Sequence, residues 1–151
     1  MEIDVEIEWA AVFNNLFRLG ITFLLSIPVA WQRERKTHSV GLRTYPLVAV
    51  GTCAFILIGK SFLEIETESM SRVFHGVITG MGFIGGGAII KNDDYVSGTA
   101  NAASLWCTGA IGAAVAFNRL EIAIVLSLTI LIIFKFKTVM SKNGNIKSVN
   151  E

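Results

Sequence analysis

Charge is what this sequence has least of. Only 17% of its 151 residues are charged, against about a quarter in an ordinary soluble domain, while 52% are hydrophobic. The deficit is concentrated in long uncharged runs separated by short charged ones, the pattern of an integral membrane protein. No basic stretch is interleaved with aromatics, so nucleic acid is not indicated as a partner. Cysteine is scarcer still, with two residues. Cys53 and Cys107 both lie in apolar runs and define neither a disulfide framework nor a zinc motif, so each reads as a small buried hydrophobe. Of the two prolines, Pro28 falls near the end of the first apolar run, where it predicts a kink, and Pro46 can open the second helix at its first position. The N-terminus carries Glu2, Asp4, Glu6 and Glu8 without a basic residue, so no cleavable secretory signal is expected. The groups of common enzyme chemistry are also lacking. There is no nucleophile with a base and no metal-ligand spacing, and the glycines from Gly80 to Gly87 have no phosphate-loop lysine. The expectation is a non-enzyme without a cofactor.

What is present is best seen in RVFHGVITGMGFIGGGAIIK, residues 72–91. As a helix, its interior spans about 27 Å, close to the thickness of a bilayer core. In water, the glycines at 76, 80, 82, 85, 86 and 87 would each destabilise a helix by about 1 kcal/mol. In lipid the backbone must bond to itself, and glycines become contact surfaces. Gly76 and Gly80 form one GxxxG spacing, Gly82 and Gly86 another. This stretch is therefore expected to be the central packing helix, breaking at Gly85-Gly86-Gly87; the alternative is a loosely packed helix or re-entrant loop. Arg72, His75 and Thr79 share a face, where His75 reads first as an interhelical hydrogen bond and second as a proton relay.

Four further spans surround it, giving five near residues 10–31, 44–59, 73–90, 102–117 and 122–136 in a single domain. In the first, Asn14 and Arg18 are four apart and share a face; Arg18 either snorkels to the surface or points into the bundle and pairs there. The fourth is rich in alanine and glycine, including Gly109 and Gly112, and is the natural partner of the third, with Trp106 as a packing anchor. The fifth is bulky and aliphatic and is expected to face lipid. Residues 137–151 read as a basic flexible tail. The loop QRERKTHSVGLRTYP, residues 32–46, is the most basic, which places it in the cytoplasm, with the N-terminus outside and the C-terminus inside. The fold class is thus an all-α, polytopic transmembrane helix bundle. On its cytoplasmic rim Arg33, Glu34, Arg35 and Arg43 are expected to meet Asp93 or Asp94 in an ion-pair cluster. Glu34 is the internal candidate for a divalent ion, and no metal-ligand set is otherwise fixed. The alternative is a belt of solvated anchors.

Three stretches together resemble the MgtC/SapB family of bacterial membrane proteins. They are RLGITFLL with RER and VGLRTYPLVAVG (18–25, 33–35 and 40–51), SRVFHGVITGMGFIGGGAII (71–90) and GTANAASLWCTGAIGAAVA (98–116). Gln32 stands where the family usually has a glutamate, Ser26 and Ala30 where it has glycines, and Thr99, Ala100 and Asn101 replace Leu-Thr-Thr. The resemblance implies an inner-membrane location and a link to magnesium limitation, acid stress and virulence. It also implies the membrane half alone, without the ACT-like soluble domain of longer members. Some members resemble transporters; others resemble regulators that bind membrane proteins, including ATP synthase. The family pattern falls here on Arg18, Arg33, Glu34, Arg35, Gly41, Leu42, Arg43, Thr44, Arg72, Gly80, Gly82, Phe83, Gly85, Gly87, Ala102, Ala103 and Trp106.

Between the two function classes that resemblance opens, a magnesium path wants carboxylates, and no apolar run contains one. A transporter of magnesium or another small ion would have to act as an oligomer. Small-residue faces suit a regulatory or interaction protein, associating with itself or with another membrane protein in the bilayer. The topology is directly testable. A reporter fused after Glu151 is expected to read cytoplasmic and a label at position 66 to be reached from outside; an external C-terminus would reject five spans.

Overall fold

The computed structural model describes residues 7–34, 41–63, 68–93 and 95–143, with side chains to residue 136. Five helices form: α1 (Trp9–Glu34), α2 (Thr44–Phe62), α3 (Glu68–Gly87), α4 (Thr99–Ala116) and α5 (Leu120–Asn143). Two of them, α1 and α2, are long and apolar enough to cross a membrane. Between α3 and α4 a two-residue antiparallel pair forms: β1 (Ile90–Lys91) and β2 (Val96–Ser97), with Ile90 opposite Ser97. The Asn92 N–H donates to the Tyr95 carbonyl at 2.9 Å to close that turn. Gly98 then has φ +80°, and a side chain there would collide with the Ala88 carbonyl, so only glycine lets α4 start at this point.

The centre of the bundle is α4, not α3. Twelve residues of α4 are buried, from Asn101 to Ala116, whereas α3 buries only Met70, Met81 and Gly85. Because α4 carries small side chains on every side, four helices can approach it at once. At Gly112 the two helix backbones meet: an added Cβ would run into the Ala49 carbonyl of α2. Gly109 faces Met81 of α3 and Thr52 of α2, whose hydroxyl lies 2.9 Å from the Met81 sulfur. The other helices pack around α4 in the order α3, α2, α1, α5, and α3 and α5 do not meet as neighbours. An apolar groove of about 360 Å³ lies in that gap, lined by Phe74, Ile78 and Met81 of α3, Trp106 of α4 and Ile122 of α5.

The glycines of α3 do not make the predicted contacts. Gly76, Gly80, Gly82 and Gly86 have nothing within 4 Å of a built Cβ, and only Gly85 touches α4, 3.1 Å from the Ala102 carbonyl. The inward stripe is instead Met70, Val73, Val77, Met81 and Gly85, spaced three to four apart. Burying methionine and valine removes far more apolar surface from solvent than burying glycine does, which decides which face turns inward. The helix does end at Gly87.

One further expectation changes. Helix α5 is not wholly lipid-facing: Ala123, Ser127, Ile130 and Phe134 are buried at spacings of four and three, and the Ser127 hydroxyl donates to the Leu25 carbonyl of α1 at 2.8 Å. Helix α1 continues through Pro28 to Glu34, burying Thr22, Ser26, Val29 and Ala30. Its first two turns lie beyond the packed bundle, leaving Trp9, Phe13, Leu16 and Phe17 more than 60% exposed.

Gly112→Ala is expected to push α2 from α4 and cost about 1–3 kcal/mol. Gly76→Ala, in open space, should be neutral or stabilising by up to about 1 kcal/mol through helix propensity. Thermal unfolding of the two variants in one detergent compares them.

Candidate functional site

The charged and polar side chains gather at the two ends of the bundle. At the end where α4 stops, the backbone closes in a Schellman turn: the Asn118 N–H donates to the Val115 carbonyl (3.0 Å) and the Arg119 N–H to the Ala114 carbonyl (2.8 Å). Asn118 takes the left-handed conformation, φ 60°, which its short polar side chain tolerates better than most. This pattern satisfies the carbonyls of Ala114 and Val115 but not that of Ala116. Arg18 of α1 donates to the Ala116 oxygen through Nη1 at 3.2 Å, and Lys60 of α2 donates to the same oxygen through Nζ at 3.0 Å. The Arg18 Nε–H goes to Asn14 Oδ1 at 3.0 Å, so the four-residue spacing in the sequence positions the guanidinium. The Lys60 ammonium lies 5.8 Å from the centre of the Phe117 ring, which in turn meets Phe74 edge-on at 5.6 Å. Cations at a helix C-terminus oppose the macrodipole favourably. Arg18 therefore points into the bundle, as one of the two sequence readings had it, but its partner is a carbonyl. Lys60, visible in the sequence only as the residue closing a span, was not singled out.

On the same rim Arg72 pairs with Glu68 at 2.6 Å and Arg119 with Glu121 at 2.6 Å, all four side chains being more than 60% exposed. Such exposed pairs contribute at most about 1 kcal/mol. The Glu121 carboxyl is held below the usual range by its own backbone N–H and by the Arg119 side chain. His75 is exposed on α3, and among the described residues it makes no interhelical hydrogen bond, because the methionine stripe turns the opposite face inward.

At the other end, among the described residues Glu34 is held by backbone rather than by an arginine. Its carboxylate accepts the Leu42 N–H at 3.0 Å and rests against the Cα of Gly41, where a side chain would displace it. The Gly41 carbonyl accepts the N–H groups of Thr44 and Tyr45 at 3.1 and 3.3 Å. Glu34, at the last residue of α1, thus satisfies the N–H of the residue just before the α2 N-cap Arg43 and places negative charge near the N-terminus of α2. Arg33 lies over the Phe134 ring of α5 at 4.6 Å, Arg43 is exposed, and Asp93 is exposed on the β1–β2 turn. Among the described residues no ion pair joins Glu34 or Asp93 to an arginine. Arg35 and Asp94 lie outside the described residues, as does most of the basic tail. No group of three His, Cys, Asp or Glu side chains suited to a metal ion occurs among the described residues.

Between the ends, the core carries a buried polar link that sequence reasoning missed. The Tyr45 hydroxyl of α2 and the Ser104 hydroxyl of α4 are 2.6 Å apart. Thr108 donates to the Ser104 carbonyl at 2.7 Å, and Ser104 to the Asn101 carbonyl at 2.9 Å. The available signal was a tyrosine and two hydroxyls inside apolar runs, where each needs a partner. Trp106 is about half exposed (48%), on the groove side of α4.

This helix arrangement belongs with a known sequence family. The profile of the MgtC family matches residues 19–143, and the chain is a member of that family. Its relatives include the uncharacterized protein slr0014 of Synechocystis sp., 35% identical over 66% of this chain and 42% of the relative. Protein MgtC of Brucella abortus is 36% identical over 69% of this chain and 43% of its own length. Protein MgtC of Salmonella typhimurium is 31% identical over 80% and 51%. The chain thus spans about half the length of the curated relatives it matches. No solved structure matches it. Family membership and two membrane-capable helices together support a membrane protein.

Glu34→Ala is expected to lower stability by about 1 kcal/mol, with Glu34→Gln costing less because an acceptor remains. Gly41→Ala should cost a similar amount by displacing the same carboxylate, and the double variant should be less than additive. Unfolding in detergent measures all of them.

Proposed function

We propose that this chain is a multi-pass protein of the bacterial inner membrane with a regulatory, protein-interaction role linked to magnesium homeostasis and stress. The observation that carries this reading is the uncovered face of α3. Gly76, Gly80, Gly82 and Gly86 look onto open space, and Phe83 beside them is 86% exposed. A membrane helix gains little by showing glycine to lipid, whereas it gains close van der Waals contact by showing glycine to another helix. On this reading the face takes a second copy of the chain or another membrane protein. The magnesium link rests on the family alone. The alternative, an ion transporter, would use the same face to assemble a pore.

Cysteine at position 80 or 82 is expected to crosslink to a protein neighbour in native membranes, with a yield that differs between low and high magnesium. Cysteine at position 125, on the exposed side of α5, serves as the control. Equal yields at all positions would reject the interaction face, and magnesium flux into liposomes holding the pure protein would favour the transporter.

A further inference from the structure

The pair Arg18 and Lys60 is built differently from the other cations on its rim. Arg72 and Arg119 are exposed and each has a carboxylate at 2.6 Å. Arg18 and Lys60 are half-buried, come from different helices, and converge on one oxygen, that of Ala116, at 3.2 and 3.0 Å. Among the described residues neither has a carboxylate partner. The end of a helix offers only about half an elementary charge of compensation, so among the described residues these two cations are not balanced by the helix terminus they share. Their donors are also incompletely used. Arg18 spends Nε on Asn14 and one N–H of Nη1 on Ala116, and Lys60 spends one ammonium N–H. The remaining N–H groups on both side chains are available to one further acceptor. That acceptor must be anionic to balance the charge, and it must offer several oxygens to bridge a planar guanidinium and an ammonium.

We infer that Arg18 and Lys60 form a binding site for a phosphate-class oxyanion at the rim where α4 ends. The inference is independent of the α3 face, since neither residue belongs to it. The anion is either a phospholipid headgroup or free phosphate; both present the same oxygens to the two cations. Asn14 fixes the guanidinium, Phe117 flanks the ammonium, and the two cations converge on the Ala116 carbonyl.

The test uses the full chain in a neutral detergent, read by thermal unfolding and by native mass spectrometry. One arm adds phosphatidylglycerol against phosphatidylcholine. The other adds inorganic phosphate against chloride at equal ionic strength. At least one arm should raise the melting temperature saturably by several degrees, and phosphatidylglycerol should give retained adducts if the headgroup is the ligand. A response to phosphate that competes away those adducts identifies the free anion as sufficient. Lys60→Gln and Arg18→Gln should each lose the shift, Lys60→Arg should keep it, and Arg119→Gln, whose arginine already has Glu121, should leave it unchanged. If Arg18→Gln does not fold, Arg18→Lys takes its place and should retain the shift. No stabilisation in either arm, or equal stabilisation with Lys60→Gln, overturns the site.

Discussion

The close contact of α2 and α4 at Ala49 and Gly112 sets the rest of the bundle. The α4 backbone at Gly112 approaches the Ala49 carbonyl so closely that even a methyl group has no room. Helix association in lipid draws on packing and on hydrogen bonds that lipid cannot offer, so such a contact is worth more there than apolar area alone would suggest. Once α2 and α4 are this near, the Tyr45 and Ser104 hydroxyls are brought within hydrogen-bond distance, and Thr52 reaches Met81. The same proximity carries Lys60, at the far end of α2, to the last carbonyl of α4. The positions of two polar centres follow from one missing side chain.

The two ends of the bundle solve the same problem with opposite charge. The Leu42 N–H just ahead of α2 is met by the carboxylate of Glu34, and the open carbonyl at the end of α4 is met by two cations. In both cases the partner comes from a different helix, so capping also ties helices together. The symmetry is incomplete, because one carboxylate suffices at one end while the other holds more positive charge than the helix terminus can balance.

Much of the helix plan was readable from the alternation of apolar and charged runs, since five apolar stretches became five helices. Which face of each helix turns inward was less readable. The glycine pattern of α3 advertises a contact surface, but the chain itself uses the Met70, Val77 and Met81 side of that helix. A GxxxG spacing says that something can approach, not that a helix of the same chain does. The a/d-like spacing of Ala123, Ser127, Ile130 and Phe134 was present in α5 but hidden by aliphatic residues on every side. Site residues fared unevenly for a related reason. Arg18 stood out as a charge in an apolar run, whereas Lys60 looked like an ordinary terminal lysine until the fold brought it to Ala116.

The packing of α1 on α5, sealed by Ser127 against Leu25, joins the first of these five helices to the fifth. During synthesis α1 and α2 can associate early, and α4 can seat against α2 when it emerges. The wall that α5 contributes arrives after the other four helices, so until then the Leu25 carbonyl of α1 lacks the Ser127 hydroxyl. A nascent chain of this kind stays dependent on its insertion machinery, or on a neighbouring chain, for longer than a bundle whose consecutive helices pack only on each other.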